Sequence, residues 1–209
     1  MSPKKTSELV LLGTGGGPRI WAARSQPASA IVVDECVYII DAGDGVTGQL
    51  AKSEIDTNLI KAIFITHNHS DHVADYGTLL LRTWQSGHKG PINCFGPPPL
   101  KNMTNSYMDY MHWDINLRIQ HEGRPDFKSM INVLEITHNS SVYQDSNVKV
   151  DCIKVPHGEA DPSYSYRFQI DGKVIVFSGD TSKNEALIDF SSGADILVHE
   201  VLNLEGVEA

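Results

Sequence analysis

The apolar run Ile60-Lys61-Ala62-Ile63-Phe64-Ile65 passes through Thr66 straight into His67-Asn68-His69-Ser70-Asp71-His72. A run of this kind reads as a buried strand, so three imidazoles and a carboxylate are delivered to a strand end within six residues. Borderline nitrogens with one hard oxygen suit zinc, manganese or iron. Extended alternation puts His67 and His69 on one side, and a tightening turn carries Asp71 and His72 to the other. That split suits two neighbouring ions, which at a separation of about 3.5–4 Å generate a hydroxide and steady developing negative charge. The ordinary use of a polar strand-to-helix turn is capping, here by Ser70 or Asp71 on a helix starting at residue 73. Capping accounts for one residue and leaves three histidines without a reason.

The rest of the chain has to build a scaffold for that turn. With 209 residues, 41% hydrophobic and 21% charged, it has the material for one soluble domain with a sizeable core. No apolar run approaches the roughly 20 residues of a membrane span. The opening Met1-Ser2-Pro3-Lys4-Lys5-Thr6 leads into a short strand, Leu9-Val10-Leu11-Leu12, and not into a signal-peptide core, so the expected location is cytoplasmic. Cys36, Cys94 and Cys152 have no CxxC spacing and are expected as buried, reduced thiols. A net charge of -9 argues against a broadly basic nucleic-acid surface and leaves a local basic patch open.

Strands are expected over 8–12, 30–33, 36–40, 60–65, 91–95, 131–136, 148–155, 164–170, 173–178 and 195–198, with hairpin turns at Asp34-Glu35 and Asp171-Gly172. Helices are expected over 46–53, 73–86, 100–119 and 183–190, with a boundary at Pro97-Pro98-Pro99 and a loop over 120–128. Strands followed by helix–strand alternation, twice over, predict an α/β sandwich of two stacked sheets with helices outside and a site where strand ends meet.

The cluster resembles the HxHxDH signature of the metallo-β-lactamase superfamily, whose fold is an αββα sandwich and whose members are dinuclear, metal-dependent hydrolases. Val155-Pro156-His157-Gly158 is similar to the family's third histidine segment, and Phe177-Ser178-Gly179-Asp180-Thr181 to the segment of its bridging carboxylate. Ile40-Asp41-Ala42-Gly43 resembles its early Asp-x-Gly turn, which supports the site without ligating metal. The resemblance implies that His67, His69 and His157 bind one ion, Asp71 and His72 a second, and Asp180 both. It implies two Zn²⁺ per site, with Mn²⁺ or Fe as alternatives, and a role for Asp71 in orienting or deprotonating a bridging water. The family adds one more histidine to the second metal from a strand near its C-terminus, and no histidine follows His199 here. The expectation is therefore a single domain of this fold over 1–209, lacking its C-terminal elements, with the first metal site complete and the second weak. A partner chain, as in a homo-oligomer, would be one way of completing the fold.

From His157 through Tyr164-Ser165-Tyr166-Arg167-Phe168 to His199-Glu200-Val201 the chain is similar to ribonuclease Z and its relatives, among them arylsulfatase-like and cyclic-nucleotide phosphodiesterase-like enzymes. The opening Leu12-Gly13-Thr14-Gly15-Gly16-Gly17-Pro18 fits the same group. As a dinucleotide fingerprint it fails, because Pro18 stands where GxGxxG needs glycine. The resemblance implies hydrolysis of a phosphodiester or related anionic ester, with a small ester or RNA as substrate, by a hydroxide generated at the metals. Hydrolysis of a β-lactam, lactone or sulfate ester on the same site is the nearest alternative, and a non-catalytic or inactive metal-binding fragment is the other.

His199 and Glu200 would relay a proton to the leaving group, or simply cap a strand end. Arg19 and Arg24 sit in a loop that loosely resembles the family's basic substrate loop; they would contact an anionic substrate, or be solvated surface arginines. Trp21, Trp84 and Trp113 would wall a pocket or pack in the core. His88, His112, His121 and His138 are expected as surface or hydrogen-bonded residues.

Overall fold

The computed structural model describes residues 7–201. The chain divides into two compact units, with the break between Thr137 and His138.

The first unit is built on a six-stranded sheet in simple sequence order: β1 (Ser7–Gly13), β2 (Ala28–Val33), β3 (Cys36–Ile40), β4 (Ile60–Phe64), β5 (Ile92–Gly96) and β6 (Ile131–Glu135). β1 to β3 form an antiparallel meander, turned at Asp34, which takes a positive φ of 51°. From β3 to β6 every pairing is parallel. Parallel strands need crossovers that cover the sheet, and β3 and β4 read accordingly as near-continuous apolar runs, with Ile39, Ile63 and Phe64 fully buried. Five helices serve those crossovers: α1 (Val46–Lys52), α2 (Ser70–Val73), α3 (Tyr76–Gln85), α4 (Leu100–Tyr110) and α5 (His112–Glu122). The largest buried side chain is Trp84, which packs on Phe127 and donates its Nε1 proton to the Pro125 carbonyl at 3.0 Å.

Two helix expectations are corrected. The helix expected over 73–86 starts three residues earlier and is interrupted, because the Asp75 N–H leaves the helical ladder for the Ala42 carbonyl. The helix expected over 100–119 breaks at Met111 and resumes to Glu122, where Gly123, at φ 67°, ends it within the stretch expected to be loop.

The second unit carries a five-stranded sheet in the order β11-β10-β9-β8-β7. β7 (Ser140–Gln144), β8 (Val148–Val155), β9 (Ser163–Ile170) and β10 (Lys173–Phe177) are antiparallel neighbours. α6 (Glu185–Phe190), capped by the Asn184 side chain, crosses to β11 (Ile196–Val198), which pairs parallel to β10. The Asp171-Gly172 hairpin is as expected, both residues having positive φ. β7 was not expected: it is short and lies between polar clusters, and its pairing with β8 is irregular between Ser141 and Tyr143. Cys94 and Cys152 are buried thiols, whereas Cys36 is half-buried at the start of β3. Among the described residues no helix is long and apolar enough to cross a membrane.

Candidate metal centre

In the first unit the site grows from two neighbouring parallel strands. β3 and β4 end side by side, and Asp41, one residue beyond β3, donates its N–H to the Phe64 carbonyl at 2.8 Å. Asp41 has φ 59°, a left-handed conformation that Asp tolerates better than most residues. Its Oδ1 accepts the Thr66 N–H at 2.8 Å, its Oδ2 accepts from His72 Nδ1 at 2.8 Å, and the Thr66 hydroxyl reaches both oxygens at 3.1 and 3.0 Å.

This buried network sets the state of two imidazoles. An ionised carboxylate only accepts, so the His72 proton lies on Nδ1. The single Thr66 hydroxyl proton is directed to Asp41, so Thr66 Oγ1 accepts from His67 Nδ1 at 3.0 Å. In both rings Nε2 is then the nitrogen with the lone pair, the form in which imidazole binds metal. His67 Nε2 lies 3.0 Å from His69 Nδ1. Two nitrogens bound tetrahedrally to one zinc at about 2.0–2.1 Å each stand about 3.3 Å apart, so the pair is close to a ligand edge. His72 Nε2 lies 3.7 Å from Asp71 Oδ2. His67, Asp71 and His72 are buried, and His69 is exposed.

The turn is clamped from beneath. Asn68 Nδ2 donates to the Pro98 carbonyl at 2.9 Å, and the His72 carbonyl accepts from the Ala42 N–H at 2.8 Å. α2 begins at Ser70 with no side-chain cap, so capping by Ser70 or Asp71 does not explain this segment. Gly43 is where the Asp41 turn meets the metal loop: a Cβ there would lie 2.1 Å from the Asp71 carbonyl oxygen. Gly43→Ala is therefore expected to push Asp71 out of register and weaken any metal binding at this candidate site at least tenfold. Chelator competition would measure the loss, and an unchanged far-ultraviolet circular dichroism spectrum would place it at the site. An affinity equal to that of the parent protein would refute the steric role.

In the second unit, β8 ends at Val155 and β10 at Phe177, flanking β9, and the loops beyond them carry His157 and Asp180. His157 Nε2 lies 3.7 Å from Asp180 Oδ2, and both side chains are about one-quarter exposed. The loops are tied together by the Ser182 N–H to the Pro156 carbonyl at 2.9 Å and by Ser163 Oγ to the Asp180 carbonyl at 3.2 Å. Glu200 accepts the N–H of Thr181, and its own N–H donates to Ser178 Oγ, so its carboxylate holds the Asp180 loop. His199 is exposed, its Nδ1 2.7 Å from the Glu200 carbonyl.

Thr66 and Asn68 carry positioning work that was not expected of them. The available signal was weak: a hydroxyl and an amide beside candidate metal ligands, with partners 25 and 30 residues away in sequence. Arg19 and Arg24 are exposed. Trp84 packs in the core, Trp113 is exposed, and Trp21 is half-exposed. His88 is buried against the Asn58 carbonyl, and burial lowers its pKa; His112 bonds the Asp109 carbonyl on the surface.

A family model described as "Anti-Pycsar protein Apyc1" matches residues 7–207 of the chain. The ribonuclease Z of Mycolicibacterium gilvum (strain PYR-GCK) is 30% identical over 205 residues, covering 97% of this chain and 71% of that protein. The crystal structure of human tRNase Z, short form, superimposes with a TM-score of 0.75 at 22% identity, over 92% of this chain and 76% of that one. The metallo-β-lactamase fold protein YhfI from Bacillus subtilis gives 0.70 at 19% identity, over 92% and 70%. These likenesses establish the α/β fold as that of the metallo-β-lactamases.

Proposed function

This chain belongs to the Anti-Pycsar protein Apyc1 family, on the ribonuclease Z-like branch of the metallo-β-lactamase superfamily, and on that premise we propose that it is a metal-dependent hydrolase of phosphodiesters. The observation that carries the reading is the buried Asp41 carboxylate, which sets His72 directly and His67 through Thr66 in the ligating tautomer. A merely structural turn has no use for two imidazoles prepared in this way.

In this reading residues 1–209 act as one catalytic domain. His67, His69 and His157 would hold one ion, Asp71 and His72 a second, with Asp180 shared. Zinc suits a set this rich in imidazole, and manganese or iron would be the alternatives. Divalent ions bound there would supply a nucleophile at neutral pH and steady negative charge on the transferring group. Asp71 takes the proton of the attacking water, and Asp41 with Thr66 keeps the imidazoles from turning. Glu200 fixes the loop of Asp180, and His199 passes a proton to the leaving oxygen. Arg19 and Arg24 meet the anionic substrate, RNA or a smaller diester.

Hydrolysis of bis(p-nitrophenyl) phosphate, nitrocefin, a lactone and an aryl sulfate, each with and without EDTA, tests this. The diester is expected to be the preferred substrate, with turnover lost to EDTA and restored by zinc or manganese, and about two equivalents of metal per chain. A preference for one of the other three substrates would assign the site to that chemistry. Silence on all four with metal added would leave a non-catalytic metal-binding protein.

A further inference from the structure

Asp75 stands between α2 and α3, shortly after His72, at the position that caps α3. An aspartate there ordinarily accepts an N–H of its own helix. This one does not: its φ of -100° and ψ of 9° lie outside the extended region usual for a capping residue, and its side chain makes no cap bond to α3. Oδ2 instead accepts the Gly45 N–H at 2.8 Å, 30 residues back along the chain. Gly45 is the N-cap of α1, at φ 92°, so the carboxylate satisfies a donor at the start of a different helix. The placement is costly. Burial raises the Asp75 pKa, the Gly45 N–H draws it back, and the neighbouring Asp44 carboxylate pushes it up again. A solvated cap would carry neither penalty.

What the bond holds is the turn of Asp41. The Ala42 N–H donates to the His72 carbonyl at 2.8 Å, the Asp75 N–H to the Ala42 carbonyl at 3.0 Å, and the Gly45 N–H to Asp75 Oδ2. Residues 41–45 are thus sewn to 72–75 by three bonds, and only the last depends on a side chain. Asp41 Oδ2 and His72 Nδ1, 2.8 Å apart, ride on the two segments so joined. The β1–β2 loop holds the same turn as well, through the Gly43 N–H to the Pro27 carbonyl and the Asp44 N–H to Gln26 Oε1, both at 3.1 Å. Those bonds fix the turn to another loop; the bond to Asp75 fixes it to the segment that carries His72.

We propose that Asp75 is a positioning residue for the metal site: its carboxylate fastens the Asp41 turn to the segment after His72, and so fixes the distance across which Asp41 holds the His72 ring. The inference rests on the metal-dependent reading and adds to it a residue outside the proposed ligand set. Groups that orient a ligand in this way govern affinity without touching the ion.

The test measures zinc affinity by chelator competition, and the His72 tautomer by nitrogen-15 NMR of the metal-free protein, in Asp75→Ala and Asp75→Asn. Asp75→Ala is expected to lower affinity about tenfold and to turn His72 from a proton on Nδ1 to a mixture of both tautomers. Asp75→Asn keeps a carbonyl oxygen for the Gly45 N–H and is expected to hold affinity within about twofold of the parent protein, with the proton on Nδ1. A merely structural aspartate would lower the stability of Asp75→Ala and leave both readouts of the folded protein unmoved. That result overturns the proposal, as does an equal loss of affinity in Asp75→Asn. Should Asp75→Ala fail to fold, Asp75→Ser takes its place, because its shorter side chain stays polar and falls short of Gly45. If the parent protein binds no zinc, the metal-dependent reading fails by itself. The His72 tautomer then decides the positioning role alone: a shift in Asp75→Ala that is absent in Asp75→Asn upholds it, and no shift overturns it.

Discussion

His69→Ala is expected to cost hydrolytic activity about 10²–10³-fold or more while changing folding stability by roughly 0.5 kcal/mol at most. The two expectations separate because His69 is exposed, held by its ring-nitrogen approach to His67 and not by the core. Removing it deletes a proposed ligand from the first ion without opening a cavity. The same replacement at His67 would confound the two effects, since that ring is fully buried and packs at a tilt against the His72 ring, with centroids 4.2 Å apart. Denaturant titration alongside metal analysis by mass spectrometry checks the separation. The protein should fold normally and retain less metal. If His69→Ala keeps both its metal and its turnover, the ligand assignment is wrong.

Asp41 is the second large lever, and it acts through other residues. Asp41→Ala would leave the Thr66 N–H, the Thr66 hydroxyl and His72 Nδ1 without their buried acceptor, a loss of about 3–5 kcal/mol. Asp41→Asn is the sharper variant, because Asn keeps the shape and also tolerates the left-handed backbone at φ 59°. It exchanges one acceptor oxygen for an NH₂ group, so it cannot accept from both Thr66 and His72. His72 is then expected to carry its proton on Nε2, and affinity for the proposed metal to fall about 10–100-fold. Nitrogen-15 NMR of the imidazoles reports the tautomer, and chelator competition reports the affinity. A merely structural role would lower stability and leave the tautomer of the folded protein unmoved. Wild-type affinity together with a protonated Nδ1 on His72 would refute the positioning role.

Much of this architecture is legible along the chain because its causes are local. Ile60-Lys61-Ala62-Ile63-Phe64 announces a buried strand by side-chain type, and Asp171-Gly172 announces a hairpin because both residues accept positive φ. The imidazole cluster points to metal because four potential ligands lie within six residues. Two of the misread elements depend on distant partners. The helix after the cluster is interrupted where Asp75 finds the Ala42 carbonyl, and β7 is a strand because β8 offers it a ladder.

The segment around His67 therefore announced by itself which groups gather at one strand end. How two of those imidazoles are oriented was decided only by tertiary structure. Asp41 lies 25 residues from Thr66 and 31 from His72, and no local pattern encodes that meeting. It follows from the parallel pairing of β3 with β4, which brings two strand ends side by side. There one ionised carboxylate, shut off from water, must be satisfied by the donors that surround it.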